Sequence, residues 1–428
     1  MSKTIKRDAY LNELIRKKEN GLVKVITGVR RCGKSYLLFH IFRDYLLSAS
    51  VDKDHIISIA LDDIQYQRYW NPNELNEYIR SKIINDGNTN YVFIDEIQLV
   101  KDVKNPYLEG STVGFTDVVL GLVKMPGVDV YITGSNSEML SKNILSKFRG
   151  KCDQIHVSPL SYKEFYDAKD GDKTHVWNEY LTYGGMPFVT TIPDYSDKAN
   201  YLKNLFEEIY IKDIMESNDI RRDESVLNDL LNIISSSVGS LTNPLKLSNT
   251  FKTVKKLPIH SQTIERYIGY LEDSFLIEKA KRYSVKGKHY IESPHKYYFT
   301  DLGLRNARLN FAEIEENHIM ENIIYNSLRS SGYNVDVGVV DVTTHDQGKQ
   351  IRKQLEIDFV CNKGNEKLYI QSAYSLPDKE KLLQETQSLT KTKDSFKKIV
   401  VVRDDIVPRQ DGTGIYFVGV EHFLLGLV

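Results

Sequence analysis

An apolar run, Leu22 to Thr27, leads directly into Gly28-Val29-Arg30-Arg31-Cys32-Gly33-Lys34-Ser35, and Tyr36, Leu37, Leu38, Ile41, Phe42 and Tyr45 then recur at helical spacing. The run is short enough for a buried strand, and the segment after it matches G-x-x-x-x-G-K-[ST] at every fixed position. Strand, glycine loop and helix is the context that this motif requires. Glycines at 28 and 33 let the backbone curl until successive N–H groups face inward around phosphate oxygens. The helix beginning near Lys34 adds the positive end of its dipole. In such a loop the Lys34 ammonium reaches the β- and γ-phosphates, and the Ser35 hydroxyl ligates Mg²⁺. Gly28, Arg30, Arg31, Cys32, Gly33, Lys34, Ser35 and Tyr36 are therefore the candidate residues for holding ATP, with Mg²⁺ as its companion.

A second signal completes the first. Tyr91-Val92-Phe93-Ile94-Asp95-Glu96 reads as a strand buried on both faces that ends in two carboxylates. At that end Asp95 holds Mg²⁺, directly or through water, and Glu96 orients and polarises the attacking water as general base. An earlier strand, Ile56 to Leu61, ends in Asp62-Asp63, which lie near the metal or a neighbour's phosphate, or cap the segment that follows. A further strand, Val128 to Ile132, ends in Thr133-Gly134-Ser135-Asn136, where a polar side chain is expected between the phosphate loop and the Asp95 strand, the alternative being a polar turn that opens a helix from Ser137 to Leu145. Ser135 or Asn136 is then the candidate sensor of the γ-phosphate or the lytic water. Arg149, with Lys151 second, is the candidate cation for the charge that develops in phosphoryl transfer. Cys32 leaves two readings open. Its thiol either faces the phosphate site, where maleimide would inactivate and Mg-ATP protect, or packs inward as a small hydrophobe.

Composition bounds the remainder. The 428 residues suffice for two or three domains, and 41% hydrophobic with 27% charged residues is ordinary for a soluble chain. The N-terminal MSKTIKRDAYLNEL is charged and amphipathic, unlike a secretory leader, and no apolar run approaches a membrane span. Three scattered cysteines, Cys32, Cys152 and Cys361, fit a cytoplasmic location and argue against a disulfide framework or a cysteine zinc site.

Residues 160–240 read as helices. Residues 241–300 read as a helix, a break at Pro258, a second helix from Ser261 to Phe275, and a hairpin around Gly287, which is the order of a winged helix. This stretch holds eleven Lys and Arg against five Asp and Glu, a local net of +6 in a chain of net −1. Such a surplus is the footprint of phosphate-backbone contact, with Lys281, Arg282, Lys286 and Lys288 expected on the wing. The structural alternative is packing or protein contact.

The segments GVRRCGKS, YVFIDEIQ, YITGSNS and SPLSYKEF, with Tyr183-Gly184-Gly185-Met186-Pro187 later, resemble in this order the prokaryotic AAA-fold ATPases that carry a C-terminal domain of unknown function. Related archaeal-type ATPases share the nucleotide domain. The resemblance spans essentially the whole chain, with one departure: Gly150-Lys151 stands where the family often has Gly-Arg, and lysine lacks the planar bidentate fork of arginine. The C-terminal order, a helix with Glu321 and then strands with Asp358, resembles a restriction-endonuclease-like fold. There the third element of the metal site reads Gln371-Ser372-Ala373, with neither the acid nor the lysine. A degenerate nuclease fold, kept as a DNA- or protein-docking module, is the expectation.

The resulting expectation is an α/β chain. A P-loop AAA-type parallel-sheet domain (1–158) is followed by a helical lid or linker (159–240), a winged-helix-like domain (241–312) and a restriction-endonuclease-like domain (313–428). It implies ATP hydrolysis to ADP and phosphate with Mg²⁺, coupled to duplex DNA or a protein partner, with a homo-oligomer plausible and no membrane partner. The alternatives are a non-hydrolysing nucleotide-gated switch and an ATP-gated metal-dependent nuclease.

Overall fold

A computed structural model of the chain describes residues 5–134, 148, 150–169, 171–220, 224–312, 315–346 and 349–426. It divides into two compact units, Thr4–Pro159 with Glu216–Asn218, and Leu160–Met215 with Asp219–Val428.

The first unit is built on five strands, β1 (Val23–Thr27), β2 (Ile56–Ala60), β3 (Asn90–Asp95), β4 (Val128–Thr133) and β5 (Cys152–His156). All pair in parallel, in the order β2-β3-β4-β1-β5. Every position of β1 and β3 is buried, as expected of largely apolar strands when both faces of a sheet are covered. On one face Val25, Ile59, Val92, Ile94, Val130 and Ile132 share a core with Leu75 and Ile79 of helix Pro72–Lys82 and Val119 and Leu122 of helix Phe115–Val123. Each such side chain contributes about 1.5–3 kcal/mol by leaving water. Aromatic rings pack elsewhere in this unit, with Phe42 5.8 Å from Phe93 and Phe93 edge-on to Tyr131 at 5.3 Å. Phe42 ends a π-helical stretch, Leu37–Phe42, between the α-helical Lys34–Tyr36 and Arg43–Ser48. Near the start of β1 and β4, the buried Lys24 ammonium pairs with Asp129, which also accepts from the Tyr131 hydroxyl at 2.8 Å.

The second unit joins helices to one mixed sheet. Helices Pro244–Val254 and Ser261–Asp273 precede the hairpin of β6 (Ile277–Ser284) and β7 (His289–Phe299). After helices Leu302–Arg308 and Glu316–Ser330 come β8 (Asn334–Asp346), β9 (Lys349–Lys363), β10 (Glu366–Ala373), β11 (Lys397–Val402), β12 (Arg409–Gln410) and β13 (Ile415–Gly419). The strand order is β12-β13-β11-β10-β9-β8-β6-β7. The hairpin read as a wing is thus continuous with the C-terminal sheet: β6 pairs in parallel with β8, from Arg282 opposite Val337 to Ser284 opposite Val339. Its basic side chains are partly engaged along that seam. Lys286 donates to the Asp341 carbonyl at 2.7 Å and Arg282 to Gln354 Oε1 at 3.1 Å.

The Tyr183-Gly184-Gly185 segment has a structural role here. Gly184 sits at φ +69, and a Cβ there would stand 2.4 Å from the Gly303 nitrogen and 2.5 Å from Asp301 Oδ1. The Gly185 N–H donates to buried Asp301 at 2.7 Å, and Asn306 donates to the Leu181 and Thr182 carbonyls at 3.0 and 2.9 Å.

Among the described residues no helix is long and apolar enough to cross a membrane.

Candidate active site

Strand polarity gathers the chemistry of the first unit at one edge of the sheet. Because β1, β2, β3 and β4 all run the same way, the phosphate loop, Asp62, Asp95 and Thr133 follow or end neighbouring C-termini, where α/β sheets hold ligands. β4 lies between β1 and β3, as expected of the strand that leads to Ser135 and Asn136. Those two residues and Arg149 lie outside the described residues.

The loop needs its glycines. Gly28 takes φ +142, and a Cβ on it would meet the Val157 carbonyl oxygen at 2.0 Å. Gly33 takes φ +98 just before the helix, and Arg31 between them is left-handed at φ +62 without being glycine. Lys34 is buried, and its ammonium donates to the carbonyls of Gly28 and Val29, 3.0 Å from each. Arg31 and Tyr36 are exposed and Arg30 is half-buried.

Asp95 is buried and hydrogen-bonded by the hydroxyls of Thr133 and Ser35. Burial raises its pKa. The two hydroxyls pull it back, and the neighbouring charges of Glu96 and Asp62 push it further up. Glu96 adopts a left-handed backbone, φ 51, and accepts a hydrogen bond from the Gln98 amide. A non-glycine residue held there stores backbone strain, a feature that clusters at functional sites.

Cys32 resolves to the inward reading. Its thiol is fully buried and donates to the Val157 carbonyl at 3.1 Å, so only its backbone is available to the loop. The expectation of an outward, reagent-accessible thiol is overturned, because strand β5 leads the Val157 carbonyl underneath the loop. Lys151 is also corrected as a cation for this chain's own site. Its carbonyl accepts from Val23 N at 3.0 Å, at the start of β1 and one strand length, about 16 Å, from Gly28.

Two contributors escaped the sequence reading. Thr133 is the last polar side chain of the strand next to Asp95, but nothing in the sequence sets it apart from Ser135 and Asn136 after it. Arg7 is buried and donates to the carbonyls of Cys32 at 3.2 Å and Ser158 at 2.7 Å, pinning the loop to the N-terminal segment. Nothing in a charged N-terminus distinguishes Arg7 from its neighbours.

The residues fit a nucleoside triphosphate and a divalent cation. A loop that packs on the Val157 carbonyl too closely for any Cβ at Gly28 lies beside one buried ammonium, with a hydroxyl and a carboxylate already in contact.

The second unit carries the other carboxylate group. Glu321 and Asp358 are both buried, and Glu356 lies close by; Lys296 stands among them. Burial, and then the neighbouring Glu321, push the Asp358 pKa up, against the Lys296 charge. Glu321 and Asp358 are hydrogen-bonded carboxylates, Glu321 by Lys296 and Tyr298 and Asp358 by the Ser372 N–H.

A family model described as an AAA domain matches residues 20–166, and one described as a domain of unknown function matches residues 174–315. A Haemophilus influenzae protein described as uncharacterized is 34% identical over 407 residues, covering 94% of each chain. MJ1544 of Methanocaldococcus jannaschii, also described as uncharacterized, is 30% identical over 401 residues, covering 89% of this chain and 80% of the relative. Among solved structures, the Walker-type ATPase paby2304 of Pyrococcus abyssi matches with a TM-score of 0.46 at 15% identity, over 72% of this chain and 96% of that one. With the phosphate loop, the Asp95 strand and the strand between them in one parallel sheet, and with a relative matched over 94% of both chains, the chain belongs to the AAA-type P-loop ATPases that carry a domain of unknown function after the AAA domain.

Proposed function

We propose that the chain hydrolyses ATP to ADP and phosphate with Mg²⁺ and couples its nucleotide state to a DNA- or protein-binding C-terminal module. The observation that carries the reading is the convergence of Ser35 and Thr133 on Asp95 beside a glycine loop that buries Lys34. The backbone N–H groups of residues 28–35 and the Lys34 ammonium hold the phosphates; Ser35 and Asp95 hold the metal. When bound, Mg²⁺ supplies Lewis-acid stabilisation of phosphate charge. Thr133 fixes the Asp95 carboxylate. Glu96 takes the proton from water at its carboxylate, and Gln98 orients it. Ser135 or Asn136 senses the γ-phosphate, and Arg149, two residues from Lys151, is a candidate charge-stabilising cation for the site of a neighbouring copy.

The basic surplus of residues 241–300 supports duplex DNA as an output partner, since Lys252, Lys256, Arg266, Lys281 and Lys288 are exposed. Lys296, counted in that surplus, is buried, so the exposed surplus is smaller than the sequence count.

The test is phosphate release from Mg-ATP by the full chain, with and without duplex DNA. Turnover abolished by EDTA supports hydrolysis, and stoichiometric ATP binding without release favours a switch.

A further inference from the structure

Three carboxylates from two elements meet around one ammonium in the second unit. Lys296 on β7 is 4% exposed, although its strand belongs to the basic hairpin. Its Nζ lies 2.8 Å from Glu321 Oε1, 2.8 Å from Glu356 Oε1 and 3.7 Å from Asp358 Oδ1. Glu321 comes from helix Glu316–Ser330, and Glu356 and Asp358 come from β9. Further donors reach two of the three carboxylates: the Tyr298 hydroxyl donates to Glu321 Oε1 at 2.5 Å, and the Ser372 N–H donates to Asp358 Oδ2 at 2.8 Å.

Buried carboxylates that lose hydration and repel one another require a cation among them. Oxygens around Mg²⁺ stand at about 2.0–2.1 Å and around Ca²⁺ at about 2.3–2.6 Å. Here the two nearest oxygens are at 2.8 Å, the spacing of an N–H···O bond. Among the described residues no cluster of His, Cys, Asp and Glu is arranged to hold a metal ion. The next strand adds Gln371 and Ala373, neither a charged oxygen ligand nor a second cation. Lys296 also couples elements far apart in sequence, because β7 is the edge strand of the sheet and β9 lies two strands beyond β6.

We propose that Lys296 is a built-in cation that takes the place of a divalent metal in this carboxylate cluster, locking the hairpin to the sheet and closing the module to metal-dependent strand cleavage. The inference is independent of ATP hydrolysis by the first unit. A tethered ammonium permanently offsets one of the cluster's negative charges but cannot polarise water as a divalent ion does.

The experiment is a Mn²⁺ titration of the nucleotide-free full chain followed by electron paramagnetic resonance, alongside a plasmid-nicking assay in Mn²⁺. Wild type and Asp358→Asn are expected to take up the same Mn²⁺, and neither to nick. Lys296→Ala is expected to take up additional Mn²⁺, lost again in Lys296→Ala with Asp358→Asn. Folded Lys296→Ala without additional Mn²⁺ overturns the proposal. Should Lys296→Ala fail to fold, the wild-type comparison decides alone. Mn²⁺ uptake or nicking that Asp358→Asn removes overturns the proposal, and its absence supports it.

Discussion

Thr133 and Asp95 end neighbouring parallel strands, and the Thr133 hydroxyl donates to the Asp95 carboxylate. Since β4 lies between β1 and β3, this contact fixes the carboxylate with respect to the phosphate loop. Thr133→Val keeps the shape and removes the donor. It is predicted to reduce Mg²⁺-dependent turnover about tenfold while changing nucleotide affinity without Mg²⁺ by less than about twofold, a hydrogen bond to a charged group being worth about 1.5–3 kcal/mol. Equal losses with and without Mg²⁺ would assign Thr133 to general stability.

Lys34→Ala removes the buried ammonium that otherwise donates to the Gly28 and Val29 carbonyls. ATP affinity by calorimetry is predicted to fall at least about tenfold, the lower end for losing a charge-assisted hydrogen bond. Unchanged affinity would remove the loop from the nucleotide site.

Cys32 is predicted to resist maleimide in the native chain, with or without Mg-ATP, and to label only on denaturation, because its thiol is buried against Val157. Peptide mass spectrometry of the labelled chain reads this directly. Rapid native labelling that Mg-ATP blocks is the opposing result.

Gly184→Ala would force a Cβ to within 2.4 Å of the Gly303 nitrogen at a backbone φ of +69. Left-handed strain and overpacking together predict about 2–5 kcal/mol of destabilisation, measured by urea unfolding. A loss below about 1 kcal/mol would show that the contact yields easily.

Asp301 makes the second unit pH-sensitive. Burial lifts its pKa to about 6 from 3.8, despite the N–H groups of Gly185, Leu304 and Gly303 that favour its charged form. The folded state binds this proton more tightly than the unfolded chain. Its contribution is therefore full below about pH 4 and is lost as the pH rises to about 6, by about 3 kcal/mol. The stability advantage of wild type over Asp301→Asn is predicted to be larger at pH 4.5 than at pH 7. A pH-independent difference would show that Asp301 does not titrate in this way.

The phosphate loop, the Asp95-Glu96 strand end and the helix–helix–hairpin order were legible because each depends on local spacing and residue type. What stayed hidden depends on distant strands or on backbone conformation. The partner of Thr133 follows from strand order, and no spacing announces a left-handed Glu96. Arg7 reaches Cys32 across 25 residues. Lys296 looked like one more hairpin cation, because its burial depends on β8, β9 and the Glu321 helix, all later in the chain.

Glu96→Gln tests the central claim most directly. The amide keeps the shape of the side chain and loses its basicity, so ATP should bind as in wild type while single-turnover hydrolysis with Mg²⁺ falls about 10²–10⁴-fold. Hydrolysis by Glu96→Gln near the wild-type rate, with ATP bound normally, would contradict the assignment of Glu96 as the base.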